Sequence, residues 1–300
     1  MRRLLLLFLA GILAASSAKS GPCPKANAQS HPTGEATQAR AVATTQVPIQ
    51  LYWGYVTVVK GSIGDLHNLD LEIDTGAYPS VIDERVACKL GLPEQAARVN
   101  LSKKTMDTRL VVLPSLCLGP LRAEQLPVIV QDLSYFQKVL GHKIDGIVGL
   151  DLLRKSSFII NYRAKEIIFG PIGVLAFSAA FDTEMPVVTI RTRFQNQFLR
   201  LVVDTGSPDL MLLRSRTAEF TGLPVVETEK VDDASGTFQR TGVRVPEVYL
   251  GEESIGSQMT FVVEDQKDKG DDFDGILGIR GPQFRKIAFD FERRRFWWER

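Results

Sequence analysis

The sequence predicts an all-β protein built of two related lobes, and three observations predict it. Beyond Val47 the chain is made of short runs rich in Val, Ile, Leu and Phe with period-two alternation, such as Leu69-Leu71-Ile73 and Leu199-Leu201-Val203, bounded by Gly, Asp, Asn and Pro. Three landmarks then recur along the chain in one register. Last, 300 residues of which 44% are hydrophobic and 24% charged suffice for two domain-sized cores, which excludes a disordered chain and a disulfide-stapled miniprotein.

The elements follow in order. Arg2-Arg3, an apolar stretch from Leu4 to Ala15 and the small residues Ser16-Ser17-Ala18 have the layout of a secretory signal peptide over residues 1–18, with cleavage expected after Ala18. The apolar run is shorter than the ~20 residues that span a bilayer, so an uncleaved membrane anchor is the second reading. Export, to a periplasm or beyond the cell, is the expectation. Residues 19–46 carry Ala, Ser, Thr, Gln, Pro and Gly with little to bury, and read as a flexible leader. Cys23, after Ser20-Gly21-Pro22, lacks a lipoprotein signal before it and reads as a plain tail cysteine. The first lobe is placed at 47–175 and the second at 176–300.

The repeat organises what remains. Asp74-Thr75-Gly76 returns as Asp204-Thr205-Gly206, Gly91-Leu92-Pro93 as Gly222-Leu223-Pro224, and Asp145-Gly146-Ile147-Val148-Gly149 as Asp274-Gly275-Ile276-Leu277-Gly278, at offsets of 130, 131 and 129. Each copy opens on an apolar-Pro step (Val47-Pro48, Met185-Pro186) and closes in an alternating strand, from Phe158 to Phe169 and from Ile287 to Trp298. One helix per lobe is expected. In the first, Val86 and Leu90 stand four apart and Gly91 then Pro93 stop the helix; Gly222 and Pro224 do so in the second. A shorter helix through Asp151-Leu152-Leu153-Arg154 has its counterpart interrupted by Gly281-Pro282.

Charge and composition narrow the function. Thirty-six Lys and Arg against 35 Asp and Glu leave a net charge of +1, so no global field draws the chain to nucleic acid or an acidic membrane. Removal of Arg2 and Arg3 with the signal would leave −1. The histidines (His31, His67, His142) lack metal-ligand spacing, and no metal or cofactor is expected. Cys88 and Cys117 could pair in an oxidising compartment or stay as two separate buried thiols. The run Arg293-Arg294-Arg295-Phe296-Trp297-Trp298 reads as a repeated last strand rather than a binding patch. The charged stretches Glu227–Lys230 and Glu264–Asp272 read as solvent-facing.

One Asp-Thr-Gly tripeptide is a common turn, whereas two copies, each after an apolar strand and in a repeated lobe, are not chance. Glycine permits close backbone approach and the threonine hydroxyl can bond beneath the carboxylate. If a pseudo-two-fold axis brings the turns together, Asp74 and Asp204 cannot both ionise cheaply and share one proton. Such a pair can take a proton from a water attacking a carbonyl and return one to the leaving amine.

On these residues the chain resembles the pepsin/retropepsin superfamily of aspartic proteases, specifically bacterial retropepsin-like proteins with both lobes in one polypeptide, over about Val47 to Arg300. The resemblance implies a bilobal acid protease fold of two β-barrel-like lobes with short helices. It implies catalytic Asp74 and Asp204, hydroxyls of Thr75 and Thr205 that interlock beneath them, and support from Gly76, Gly206 and Ser207. Ile147-Val148-Gly149 and Ile276-Leu277-Gly278 would cross behind the two loops, with Asp145 and Asp274 in structural turns. The implied activity is endopeptidase cleavage of an extended peptide or protein, without cofactor, metal or nucleic acid, by a monomer with internal two-fold symmetry. Because Ser207 stands where the first lobe has Ala77, its hydroxyl is expected to donate to Asp204 and leave the proton on Asp74.

The chain departs from the family at the flap. Asn100 to Leu113 contains Lys103-Lys104 and Met106 but no Tyr or Gly. Asp232-Asp233-Ala234-Ser235-Gly236-Thr237 has turn chemistry for a flap in the second lobe. The alternative function is a catalytically silent relative that binds peptides in the same groove; a third reading is a self-processing or housekeeping factor that cuts one partner.

Overall fold

The computed structural model describes residues 4–5, 44–100, 105–182, 186–194, 196–217, 222–233, 236–264 and 273–300. The expected signal and leader lie outside these residues, apart from Leu4–Leu5, which pairs with Asp232–Asp233, and Thr44 to Gln46. Cys23 and most of Glu264–Asp272 also lie outside them.

The all-β, two-lobed architecture is present, with the same strand order twice. In the first lobe, Gln50–Tyr52, Val56–Ile63, Leu66–Ile73, Gly146–Val148, Val81–Asp83, Leu121–Gln131, Thr105–Leu118 and Gln95–Asn100 lie side by side. A second pairing of Val56–Ile63 with Thr105–Leu118, at Ser62↔Cys117 and Ile63↔Leu116, curls this sheet into a barrel. The second lobe runs Phe177–Asp182, Thr189–Phe194, Gln197–Val203, Gly275–Leu277, Leu210–Leu213, Glu253–Val263, Gly236–Leu250 and Val225–Asp233, closed by Thr189–Phe194 against Gly236–Leu250.

Alternation explains which way each strand faces. Leu71 and Ile73 point into the main core, and Leu66–Ile73 is partly exposed where it begins and buried on both faces where it meets Asp74. Leu201 and Val203 do the same before Asp204.

The last strands of the two copies join the lobes. Phe158–Asn161 lies antiparallel to Lys286–Asp290, with Phe158 opposite Phe289 and Ile160 opposite Ile287. At the repeat offset of 129, Phe158 corresponds to Ile287 and Ile160 to Phe289. The pairing therefore maps onto itself when the lobes are exchanged, which is the register of a two-fold axis. Each expected final strand is a hairpin, Phe158–Asn161 with Glu166–Phe169 and Lys286–Asp290 with Arg295–Glu299. Thr45–Pro48 and Phe177–Asp182 complete this shared sheet on its two sides. Phe158, Phe169, Phe289, Phe296 and Trp298 fill its buried face, so the aromatic residues of the C-terminal run serve the core.

The first lobe's helix is Glu84–Leu90, capped by the Asp83 side chain and by Gly91 in the left-handed conformation (φ 58°), with Leu150–Leu153 as the shorter one. An unpredicted helix, Ser134–Leu140, is too short to show periodicity in sequence; it starts where Asp132 accepts from the Ser134 N–H. The helix expected before Gly222 falls in part on residues 218–221, which lie outside the described residues; the described part of that segment is a 3₁₀ turn, Arg214–Arg216. The Cys88–Cys117 pairing is corrected. Cys88, on the outward side of its helix, is free and exposed, and Cys117 is held in a disulfide that does not involve it.

Both lobes raise a long hairpin. Gln95–Asn100 pairs with Thr105–Leu118 up to Asn100↔Thr105, and Val225–Asp233 with Gly236–Leu250 up to Asp233↔Gly236. The first hairpin thus forms in the segment that lacks the family's tyrosine and glycines, and the second forms where its turn chemistry was read.

Candidate active site

Each Asp-Thr-Gly turn sits where a buried strand ends and is clamped from behind by the crossing segment of its own lobe. Gly146–Val148 runs parallel to Leu66–Ile73, and the Asp74 N–H donates to Val148 O at 3.0 Å; Gly275–Leu277 does so for the second lobe, with the Asp204 N–H on Leu277 O at 3.0 Å. Asp145 and Asp274 stay out of the centre, as expected. Asp145 Oδ2 accepts from the Asp70 N–H and Asp274 Oδ2 from the Arg200 N–H, fixing the entry to each crossing strand.

The turns meet. Thr75 N–H donates to Thr205 Oγ1 at 3.0 Å and Thr205 N–H to Thr75 Oγ1 at 3.1 Å. Each hydroxyl in turn donates across the axis, Thr75 Oγ1 to Val203 O at 2.7 Å and Thr205 Oγ1 to Ile73 O at 2.9 Å. Both threonines are fully buried, so these four bonds satisfy groups that water cannot reach. The interlocking expected of Thr75 and Thr205 is observed as geometry.

Above this lock the carboxyls converge. Asp74 Oδ1 accepts from the Gly76 N–H and Asp204 Oδ1 from the Gly206 N–H, both at 2.8 Å. A Cβ at Gly76 would lie 2.5 Å from Asp204 Cγ, and one at Gly206 would lie 2.8 Å from Asp74 Cγ. Each glycine is thus required by the other lobe's carboxyl. The Oδ2 atoms are buried without a protein donor among the described residues, and the carboxyls lie close enough to share a hydrogen bond when one is protonated.

The family model for aspartyl protease matches this chain twice, over residues 59–152 and 190–280, once per lobe. The chain belongs to the aspartyl protease family. A search of curated proteins returns no match. The doubled match and the doubled strand order make this member of the aspartyl protease family a bilobal, retropepsin-like one, and family membership supports a protease-like function and a peptide as partner.

Within this retropepsin-like frame the two acids are not equivalent. Burial pushes Asp74 up to about 6, offset in part by its hydrogen bond with Asp204 and by the N–H groups of Gly76, Gly206 and Ala77. Asp204 is pushed well above the ordinary carboxylate range, by burial first and then by the negative charge of Asp74. Both carboxyls are held above the ordinary range, so the pair keeps one shared proton between them. The donor expected to leave that proton on Asp74 is not observed. Ser207 Oγ donates to Asp209 O at 3.4 Å, not to the Asp204 carboxyl, because its turn directs the hydroxyl along the loop.

Several supporting residues went unread in the sequence. In the first lobe Ser80 and Asp151 bond to each other, and Ser80 Oγ accepts from the Gly149 N–H at 2.9 Å. In the second, the corresponding space holds a charged network. The fully buried Arg240 guanidinium donates to Asp209 Oδ2 at 2.7 Å and Glu229 Oε1 at 2.6 Å, and stacks 3.6 Å from the centre of the Phe261 ring. This network ties both strands of the second hairpin to the loop after Asp204. A signal existed for it: Asp209 stands at the position of Pro79, 130 residues earlier.

Proposed function

We propose that the protein is an endopeptidase in which Asp74 and Asp204 activate a water against the peptide carbonyl. The observation that carries this reading is the approach of two buried, unlike carboxyls across the reciprocal Thr75–Thr205 lock. The Asp74 carboxylate takes a proton from water as the water oxygen bonds to the carbonyl carbon, while Asp204 gives its proton to the carbonyl oxygen. As the tetrahedral diol collapses, Asp74 passes its proton to the departing nitrogen, the C–N bond breaks, and Asp204 recovers a proton from the diol. The pair returns to one shared proton. An extended substrate would lie along the cleft, bonded through its main chain.

Both halves of the site belong to one polypeptide, so the active form is proposed to be a monomer. The N-terminal layout supports export, which N-terminal sequencing of the mature protein and cell fractionation would test. The enzymatic reading is tested by incubating the purified protein with a diverse peptide library from acidic to neutral pH, alongside Asp74→Asn and Asp204→Asn. Cleavage that both substitutions abolish supports it. Cleavage that survives either one refutes the mechanism, and peptide binding without cleavage points to a silent relative.

A further inference from the structure

Glu72 is a buried acid beside the centre that the proposed chemistry leaves unused. It stands two residues before Asp74, so alternation puts it on the same face of the strand Leu66–Ile73. Its neighbours across the ladders are Val58 on one side and Ile147 on the other, both apolar and buried, within the small core cluster that also contains Tyr55 and Ala77. The side chain is fully buried, and neither carboxyl oxygen has a hydrogen-bond partner among the described residues. The corresponding residue of the second lobe is Val202. A valine meets the demands of this position in the fold, so the acid is an addition peculiar to the first lobe.

An unpartnered carboxylate in such a place is costly, and a neutral carboxyl far less so. Three acids (Glu72, Asp74 and Asp204) therefore occupy one region from which water is excluded. We propose that Glu72 is a positioning residue for the Asp74–Asp204 pair: it is neutral while Asp74 alone carries the charge, and once it ionises its own charge opposes loss of the pair's remaining proton, so that the pair keeps its shared proton to higher pH. Its surroundings agree. Glu72 is raised by burial and then by the charge of Asp74, and it in turn raises Asp204. Other titratable groups lie farther along the face or across it. Asp70 is ion-paired to Lys60 at 2.7 Å and faces His142 at 3.3 Å; Asp145 is engaged with the Asp70 backbone; and the buried Tyr55 phenol stays neutral. None of them supplies a positive charge bonded to Glu72.

The inference rests on the proposed Asp74–Asp204 chemistry only for its effect on turnover, and a direct titration reads it without turnover. The full chain would be prepared with ¹³C-labelled Asp and Glu carboxyls, and their shifts followed against pH in the wild type, in Glu72→Gln and in Glu72→Met. The Glu72 signal should titrate well above the ordinary glutamate range. In both variants the upper step of the Asp74–Asp204 pair should move to lower pH by about one unit, a tenfold fall in proton affinity. Where cleavage is measurable, the basic limb of kcat/KM should move the same way. A Glu72 signal that titrates in the ordinary range, or pair curves that superimpose in wild type and variants, would overturn the proposal even in an active protease. Conversely, the shift can appear in a chain that cleaves nothing, which separates this inference from the proposed activity.

Discussion

Gly76 faces the Asp204 carboxyl so closely that any Cβ there would overlap it, at 2.5 Å from Cγ. The neighbour is the fixed acid of the opposite lobe, itself held by the Gly206 N–H, and it cannot withdraw without breaking that bond. Gly76→Ala should therefore displace Asp204 and lower kcat on a library-derived peptide by about 100-fold or more, in line with the penalty for a misplacement near 1 Å. A stopped assay with matched circular dichroism would check that the fold survives.

The Thr75–Thr205 lock should be worth more to stability than to shape. Thr205→Val keeps the size but removes the acceptor of the buried Thr75 N–H and the donor to Ile73 O. Leaving such a donor unpaired costs about 1–3 kcal/mol. Urea unfolding should show that loss, with Thr205→Ser losing less.

Activity should follow the two unequal acids. Asp74 must be ionised, so the rate should fall as pH drops through about 6, and Asp204 must be protonated, so the rate should fall again on the alkaline side. A pH–rate profile on one cleaved peptide reads both limbs. A flat profile down to pH 4 would contradict the assignment.

The same acids should make the folded chain less stable as pH rises. Their folded values exceed the unfolded one near 4, so the folded state holds more protons there. Stability is then fully present below the unfolded value and is lost as pH climbs through the folded values. Asp204→Asn removes one such acid and should stabilise the protein at pH 8, with a smaller gain at pH 4. Thermal unfolding at the two pH values would show it.

Arg240 should be a sensitive point in the second lobe. Its guanidinium is fully buried between Asp209 and Glu229, so Arg240→Met removes the buried cation that joins these two carboxylates. Removing one side of a buried ion cluster destabilises by about 3–5 kcal/mol. Substituting all three residues by apolar ones of similar size should recover much of the loss, measured by denaturant unfolding.

The sequence by itself determined the class and the doubling. Period-two alternation marked the strands, and the recurrence of Asp-Thr-Gly and Asp-Gly-Ile/Leu-Gly at nearly constant offsets marked two lobes with one acid each, because both signals are local or repeated along the chain. Tertiary structure alone decided how the halves differ. Glu72 alternates with Leu71 and Ile73 as an outward-facing residue would, and only the packing of Val58 and Ile147 around it shows that its face is closed to water. Ser207 beside Asp204 suggested a hydrogen bond that the turn does not make, and Arg240 lay 31 residues from Asp209, beyond any periodic pattern. The location of the proton depends on burial and on charges brought together from both lobes, and these exist only once the chain has folded back on itself.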